Sequence, residues 1–122
     1  MGTCLTGHLE VRKNEHASWD HVLTVNFWKD YPLMIALKGM PSCKEGIPED
    51  TTIWAWDYGP LCKADPDAVC DLAYTVDTEA FLKLVFLGEE RKALTNQTRV
   101  LQASVRVMTQ EGLTCRLLFL EG

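Results

Sequence analysis

The chain has 122 residues, 47% of them hydrophobic and 24% charged, with a formal net charge of −5. That is enough apolar material for one buried core and too little length for two domains, and the acidic balance gives no basic footprint for phosphate backbones or anionic lipid surfaces. No apolar run reaches the roughly 20 residues that cross a bilayer, and the first residues lack the order of a signal peptide, so a cytoplasmic protein with no membrane span is expected.

Residues 1–17 alternate only weakly, at Leu9 and Val11, which suits a short edge strand or a loose arm. From Ser18 to Phe27 two readings compete. Leu23, Val25 and Phe27 alternate as in a strand, while Trp19, Val22 and Leu23 also fit a helical face, and periodicity does not arbitrate a run this short. Asp30, Tyr31 and Pro32 form a helix start, because proline is tolerated in a first turn where its missing N–H costs nothing. A helix over Pro32–Lys38 closed by Gly39 follows. The next stretch, MPSCKEGIPED, has two prolines, a glycine and no apolar period, and reads as a loop. Thr51 to Tyr58 alternates, placing Trp54, Trp56 and Tyr58 on one face of a strand that Gly59 and Pro60 end; Lys63 to Asp67 is a turn.

The stretch from Asp71 to Gly88 is the strongest local signal. Leu72, Tyr74 and Val76 alternate with Ala73 and Thr75 as a half-buried strand. Asp77 is placed to cap a helix, with Glu79 in its first turn. Phe81, Leu84 and Val85 fall at i, i+3 and i+4, and Leu82, Phe86 and Leu87 widen the apolar stripe as far as Gly88, which suits a left-handed cap. A second short helix is expected over Glu89–Leu94. Leu101, Ala103, Val105 and Val107 then alternate with polar residues, TQEG (109–112) makes a turn, and Leu113, Cys115, Leu117 and Phe119 return, so the last twenty residues read as a hairpin. The sum is an α+β domain: an antiparallel-dominated sheet of about five strands covered by short helices on one face.

Chemistry-bearing motifs are sparse. Asp20, His21 and nearby His16 are the one crowding of acid and imidazole, without a nucleophile motif beside them. His8, His16 and His21 lack metal-ligand spacing, and there is no phosphate-cradling glycine loop, so neither metal nor cofactor is expected. The five cysteines are odd in number and show no CxxC, which points to free, mostly buried thiols; Cys62 and Cys70, eight apart around Pro66, would pair only in an oxidising compartment. The helix centred on Phe81 carries more apolar surface than one sheet face hides, and large rings on the strand with Trp54 and Trp56 either fill a core or line a pocket. The surplus has two outlets, a hydrophobic small molecule or a partner chain such as a second copy. The candidate ligand-binding residues are Trp54, Trp56, Tyr74, Phe81, Leu84, Val85, Val105 and Leu117. A cofactor-independent enzyme using Asp20, His21 or Tyr74 as acid–base groups on a hydrophobic substrate is the alternative.

The strand from Asp71, the acidic cap Asp77, Phe81 and Leu84 on the following helix, Gly88, Ala93 in the next helix and a terminal hairpin together resemble the sterol carrier protein type-two family over roughly Thr51 to Leu120. The resemblance implies a five-stranded sheet covered by helices, with an apolar tunnel that takes sterols or acyl chains and performs no chemistry. Phe81, Leu84 and Val85 match the family's apolar helix positions. Asn96, Gln97, Thr98 and Arg99 stand where the family usually has a glycine before its penultimate strand.

Overall fold

The structure, a computed structural model, describes residues 4–51 and 72–122. The strand expected from Thr51 to Tyr58 lies, from residue 52 onward, outside the described residues, as do the turn at 63–67 and the Cys62/Cys70 pair.

The chain opens with β1 (Leu5–Arg12) and β2 (Asp20–Trp28), an antiparallel pair. The run from Ser18 to Phe27 is therefore a strand: Leu23, Val25 and Phe27 face the core, and the helical reading falls away. The first helix, α1 (Tyr31–Lys38), starts where the proline signal put it. The Asp30 carboxylate accepts from the Leu33 N–H, and Gly39 closes the last turn. Lys44–Glu45 forms β3, a two-residue strand inside the stretch expected to be loop.

The strand β4 (Leu72–Val76) and the Asp77 cap are as expected, with the carboxylate accepting from the Ala80 N–H. The helix they start, α2 (Thr78–Leu82), is a turn and a half long and stops at Lys83, short of the expected Gly88. Phe86–Leu87 is instead β5, paired with β6 (Lys92–Ala93), and Gly88 takes its positive φ of 72° in the turn between them. This pairing replaces the helix expected over Glu89–Leu94.

The terminal hairpin is also corrected. Residues 96–110 form the helix α3 (Asn96–Gln110), capped by the Thr95 side chain, and only β7 (Thr114–Glu121) is a strand. The buried residues of α3 are Thr98, Leu101, Gln102 and Val105, a helical i, i+3, i+4, i+7 spacing, while Val107 is exposed.

The sheet runs β2-β1-β7-β4-β3, every neighbour antiparallel. β1, in a stretch expected to be a short edge strand or a loose arm, is an interior strand between β2 and β7. Leu33 and Leu37 of α1, Phe81 of α2, and Leu101 and Val105 of α3 meet Leu5, Leu9, Tyr74, Leu117 and Phe119 of the sheet in one buried cluster. On the opposite face Ala73, Leu118 and Leu120 form a smaller cluster under Ile47. The expected α+β architecture is thus what forms.

Candidate functional site

Six of the eight candidate binding residues lie in the described part; Trp54 and Trp56 lie outside it. Tyr74, Phe81, Val105 and Leu117 are brought together, all without exposed surface, in the helix-facing core. Phe119 ties them: its ring centroid lies 5.9 Å from that of Tyr74 and 5.8 Å from that of Phe81. Leu84 is half-buried against this cluster. Val85 and Phe86, which follow it, are 63% and 46% exposed.

The change from buried to exposed within three residues has a local cause. The carbonyl of Phe81 in α2 and that of Leu84 just beyond it both accept from Nε2 of Gln102 at 3.0 Å, which satisfies the helix end inside the protein. The chain beyond must then turn outward to pair as β5, where Leu87 points in and Phe86 points out. The guanidinium of Arg91 stacks 4.5 Å over the Phe86 ring. A buried glutamine holding two carbonyls is invisible to an apolar count, although its position one residue after Leu101 on the inner face of α3 carries the signal.

The acid–base candidates fall in different places. Asp20 is exposed at the start of β2. His21 Nε2 is 3.0 Å from Thr24 Oγ1, and that hydroxyl is 2.9 Å from Nδ1 of the buried His8. The second ring nitrogen of His8 is 3.3 Å from Thr6 Oγ1. Tyr74 sits on the other face of the sheet, in the core; burial, then the neighbouring Glu121 carboxylate, push its phenol well above the usual range. Neither its hydroxyl nor Glu121 Oε2 reaches hydrogen-bond geometry, while Glu121 Oε1 accepts from Lys38 Nζ at 3.1 Å. Asp20, His21 and Tyr74 therefore form no common site. Among the described residues no group of three His, Cys, Asp or Glu is arranged to hold a metal. Cys4, Cys43 and Cys115 are free thiols, half-buried rather than fully buried, and burial is the main cause that raises Cys43 and Cys115 above the ordinary thiol value.

A polar cluster that sequence reasoning missed lies on the sheet face away from the helices. Arg116 of β7 donates from Nε to Glu10 Oε1 at 3.0 Å and from Nη1 to Asp50 Oδ1 at 2.8 Å. Thr51 donates to the other Glu10 oxygen at 2.9 Å, and Trp19 Nε1 donates to Asp50 Oδ2 at 3.0 Å. The Trp19 ring is held between two guanidiniums, Arg12 at 4.2 Å and Arg116 at 4.1 Å from its centroid. The hydrogen bond from Arg116 holds the Asp50 carboxyl below the usual carboxylate range. The signal was present in β1, where Thr6, His8, Glu10 and Arg12 alternate with apolar residues; it marks a strand with a polar face that long-range partners satisfy. The cluster fastens residues 50 and 51 to the middle of the sheet.

Comparison with protein-family models, with curated proteins and with solved structures finds no match for this chain. Of the features that carried the sterol carrier resemblance, the strand over 72–76, the Asp77 cap and the buried Phe81 are present; Ala93 lies in a strand, and residues 101–110 are helical. No helix among the described residues is long and apolar enough to cross a membrane.

Proposed function

We propose that this domain is a non-catalytic binding module for a hydrophobic small molecule, an acyl chain or sterol, taken up along the rim where α2 gives way to β5. The observation that carries the reading is the surplus of apolar surface on one short segment. Phe81 and Leu87 are sealed, whereas Val85 and Phe86 between them face solvent, contiguous with the core through half-buried Leu84. Burial of such surface is worth about 25 cal/mol per Å2, enough to hold a long alkyl chain when several side chains share it. Arg91 over Phe86 has no carboxylate partner among the described residues and supplies a cation beside that apolar surface. An acyl chain bearing a carboxylate satisfies both groups. The sterol carrier resemblance points to the same ligand class.

The test is titration of purified, delipidated protein with a fluorescent fatty acid, alongside native mass spectrometry of the protein as isolated. The reading expects saturable uptake that Val85→Asp and Phe86→Ser each weaken by about tenfold or more, a loss of about 1.4 kcal/mol. Arg91→Gln is expected to weaken a fatty acid more than its methyl ester. Absence of uptake by a protein that is folded by circular dichroism would defeat the reading.

A further inference from the structure

The two edges of the main sheet are unlike. At one side β3 is two residues long and both, Lys44 and Glu45, are charged and exposed, which closes that edge to another strand. At the other side β2 runs nine residues and, among the described residues, is paired on one side only, with β1. Its sequence, DHVLTVNFW, has no lysine, arginine, proline or glycine, and its one carboxylate is Asp20 at the first position. Two register shifts against β1, at Val22 and at Phe27, leave those residues without a partner and bend the ends of the strand. Between them Leu23–Asn26 pairs in regular register, presenting its outer backbone groups from an uncharged window with Thr24 and Val25 at its centre.

We infer that β2 is the contact between two copies of this chain, the strands pairing antiparallel about a two-fold axis at Thr24 so that two five-stranded sheets become one. The occupant is argued from the pattern of side chains. Opposed residues of an antiparallel pair share a face, so a self-paired strand must place its axis on a residue. An axis at Thr24 sets Leu23 against Val25 on the core side, and Thr24 against its own copy on the polar side. Val22 then meets Asn26, and Asp20 meets Trp28. Asp20, opposite Trp28, is the one carboxylate in these pairs, so no like charges face one another. Trp28, 64% exposed and held at φ 54° with its N–H donated to the Asn26 side chain at 2.8 Å, gains cover from the partner's strand end. The short regular window makes the association weak and concentration-dependent. This contact uses none of the residues assigned to the acyl-chain rim, so the two are tested separately.

Sedimentation velocity of the full chain over a concentration series tests the inference, with a reversible monomer–dimer equilibrium expected. Thr24→Lys places two ammonium groups against each other at the axis and is expected to weaken the dimer at least about tenfold. Asn26→Lys, at an exposed site, serves as the measure should the first variant not fold. Opposed Cα atoms lie about 4.5–5.5 Å apart, within the range a disulfide spans, so Thr24→Cys is expected to form an oxidised dimer faster than wild type or Asn14→Cys in the β1–β2 loop. A strict monomer at several hundred micromolar overturns the inference. So does a dimer that both lysine variants leave intact, a Thr24→Cys protein that cross-links no faster than the loop control, or a complex whose mass reveals a different partner on this edge.

Discussion

Arg116 and Glu10 face each other across the centre of the sheet, a guanidinium whose Nε donates at 3.0 Å and whose Nη2 lies 2.9 Å from the same carboxylate oxygen of a side chain with no exposed surface. A carboxylate that far from water is tolerable only while its cation stays. Arg116→Ala is therefore expected to cost about 3–5 kcal/mol, read as a fall in the urea midpoint with an unchanged slope. Replacing both partners together, Arg116→Met with Glu10→Leu, is expected to cost markedly less than Arg116→Ala alone, because the double variant leaves no buried charge behind; Asp50, which also loses Arg116, is largely exposed. A single variant no worse than the double would show that the pair is not what makes the site costly to disturb.

Tyr74 makes a pH prediction of definite sign. Burial, reinforced by Glu121, raises its folded-state pKa above the unfolded value near 10. The neutral phenol thus contributes stability that is fully present below about pH 10 and is lost as pH rises above it. Wild type is expected to lose stability on the alkaline side more steeply than Tyr74→Phe. Absorbance at 295 nm should show the Tyr74 phenolate appearing only on unfolding. Equal alkaline limbs in the two proteins would contradict this.

Gly7 is a packing prediction. It stands on β1 opposite Phe119 and Val25, and a Cβ built there would lie 2.7 Å from Phe27 Cε2 and 2.9 Å from Phe119 Cε1. Those rings are themselves 6.2 Å apart, and Phe119 is held by Tyr74 and Phe81, so the ring has little freedom to retreat. Gly7→Ala is expected to destabilise by about 1–3 kcal/mol despite the gain alanine normally brings to a strand. Thermal unfolding measures it.

The same residues show why some elements were readable from the chain and others were not. The strand over 72–76 and the Asp77 cap depend on neighbours in sequence, and their positions followed from alternation and capping chemistry alone. α1 was likewise written in Asp30, Pro32 and Gly39. α3 was misread because Leu101, Ala103, Val105 and Val107 alternate by accident of composition. Two of its inward positions, Thr98 and Gln102, are polar and escape any apolar count. Residues 1–17 read as a short edge strand or a loose arm because only Leu9 and Val11 alternate, weakly, between polar residues; burying Glu10 within β1 requires Arg116, 106 positions along the chain. The extension of α2 to Gly88 failed for a related reason. Its continuation was helical in period, but β6 offered Phe86 and Leu87 a ladder and Gln102 had already taken the helix end. For the candidate site, Tyr74, Phe81, Val105 and Leu117 are expected to bind a ligand, and the structure brings them together in the core without exposed surface. The exposure of Val85 and Phe86 depends on that tertiary competition.

Gln102 is where stability and the proposed binding rim meet. Its amide nitrogen donates to the carbonyls of Phe81 and Leu84, and the side chain is buried, so Gln102→Leu preserves volume while removing that donor from both; the Phe81 carbonyl keeps the Leu84 N–H. A lost buried donor of this kind costs about 1–3 kcal/mol. The loss should be local as well as global. Amide exchange should accelerate at Leu84, which donates to Phe81, and at Phe86 and Leu87, ahead of the β4 and β7 amides that report whole-molecule opening. The segment freed is the one that carries Val85 and Phe86, so fatty-acid affinity should fall in Gln102→Leu even under conditions where the fold is intact by circular dichroism. Gln102→Glu separates the two effects, since it keeps the shape and places an acceptor against two acceptors. A variant that loses stability uniformly, with exchange at residues 84–87 no faster than in β7, would show that Gln102 supports the core as a whole and not the turn from α2 to β5.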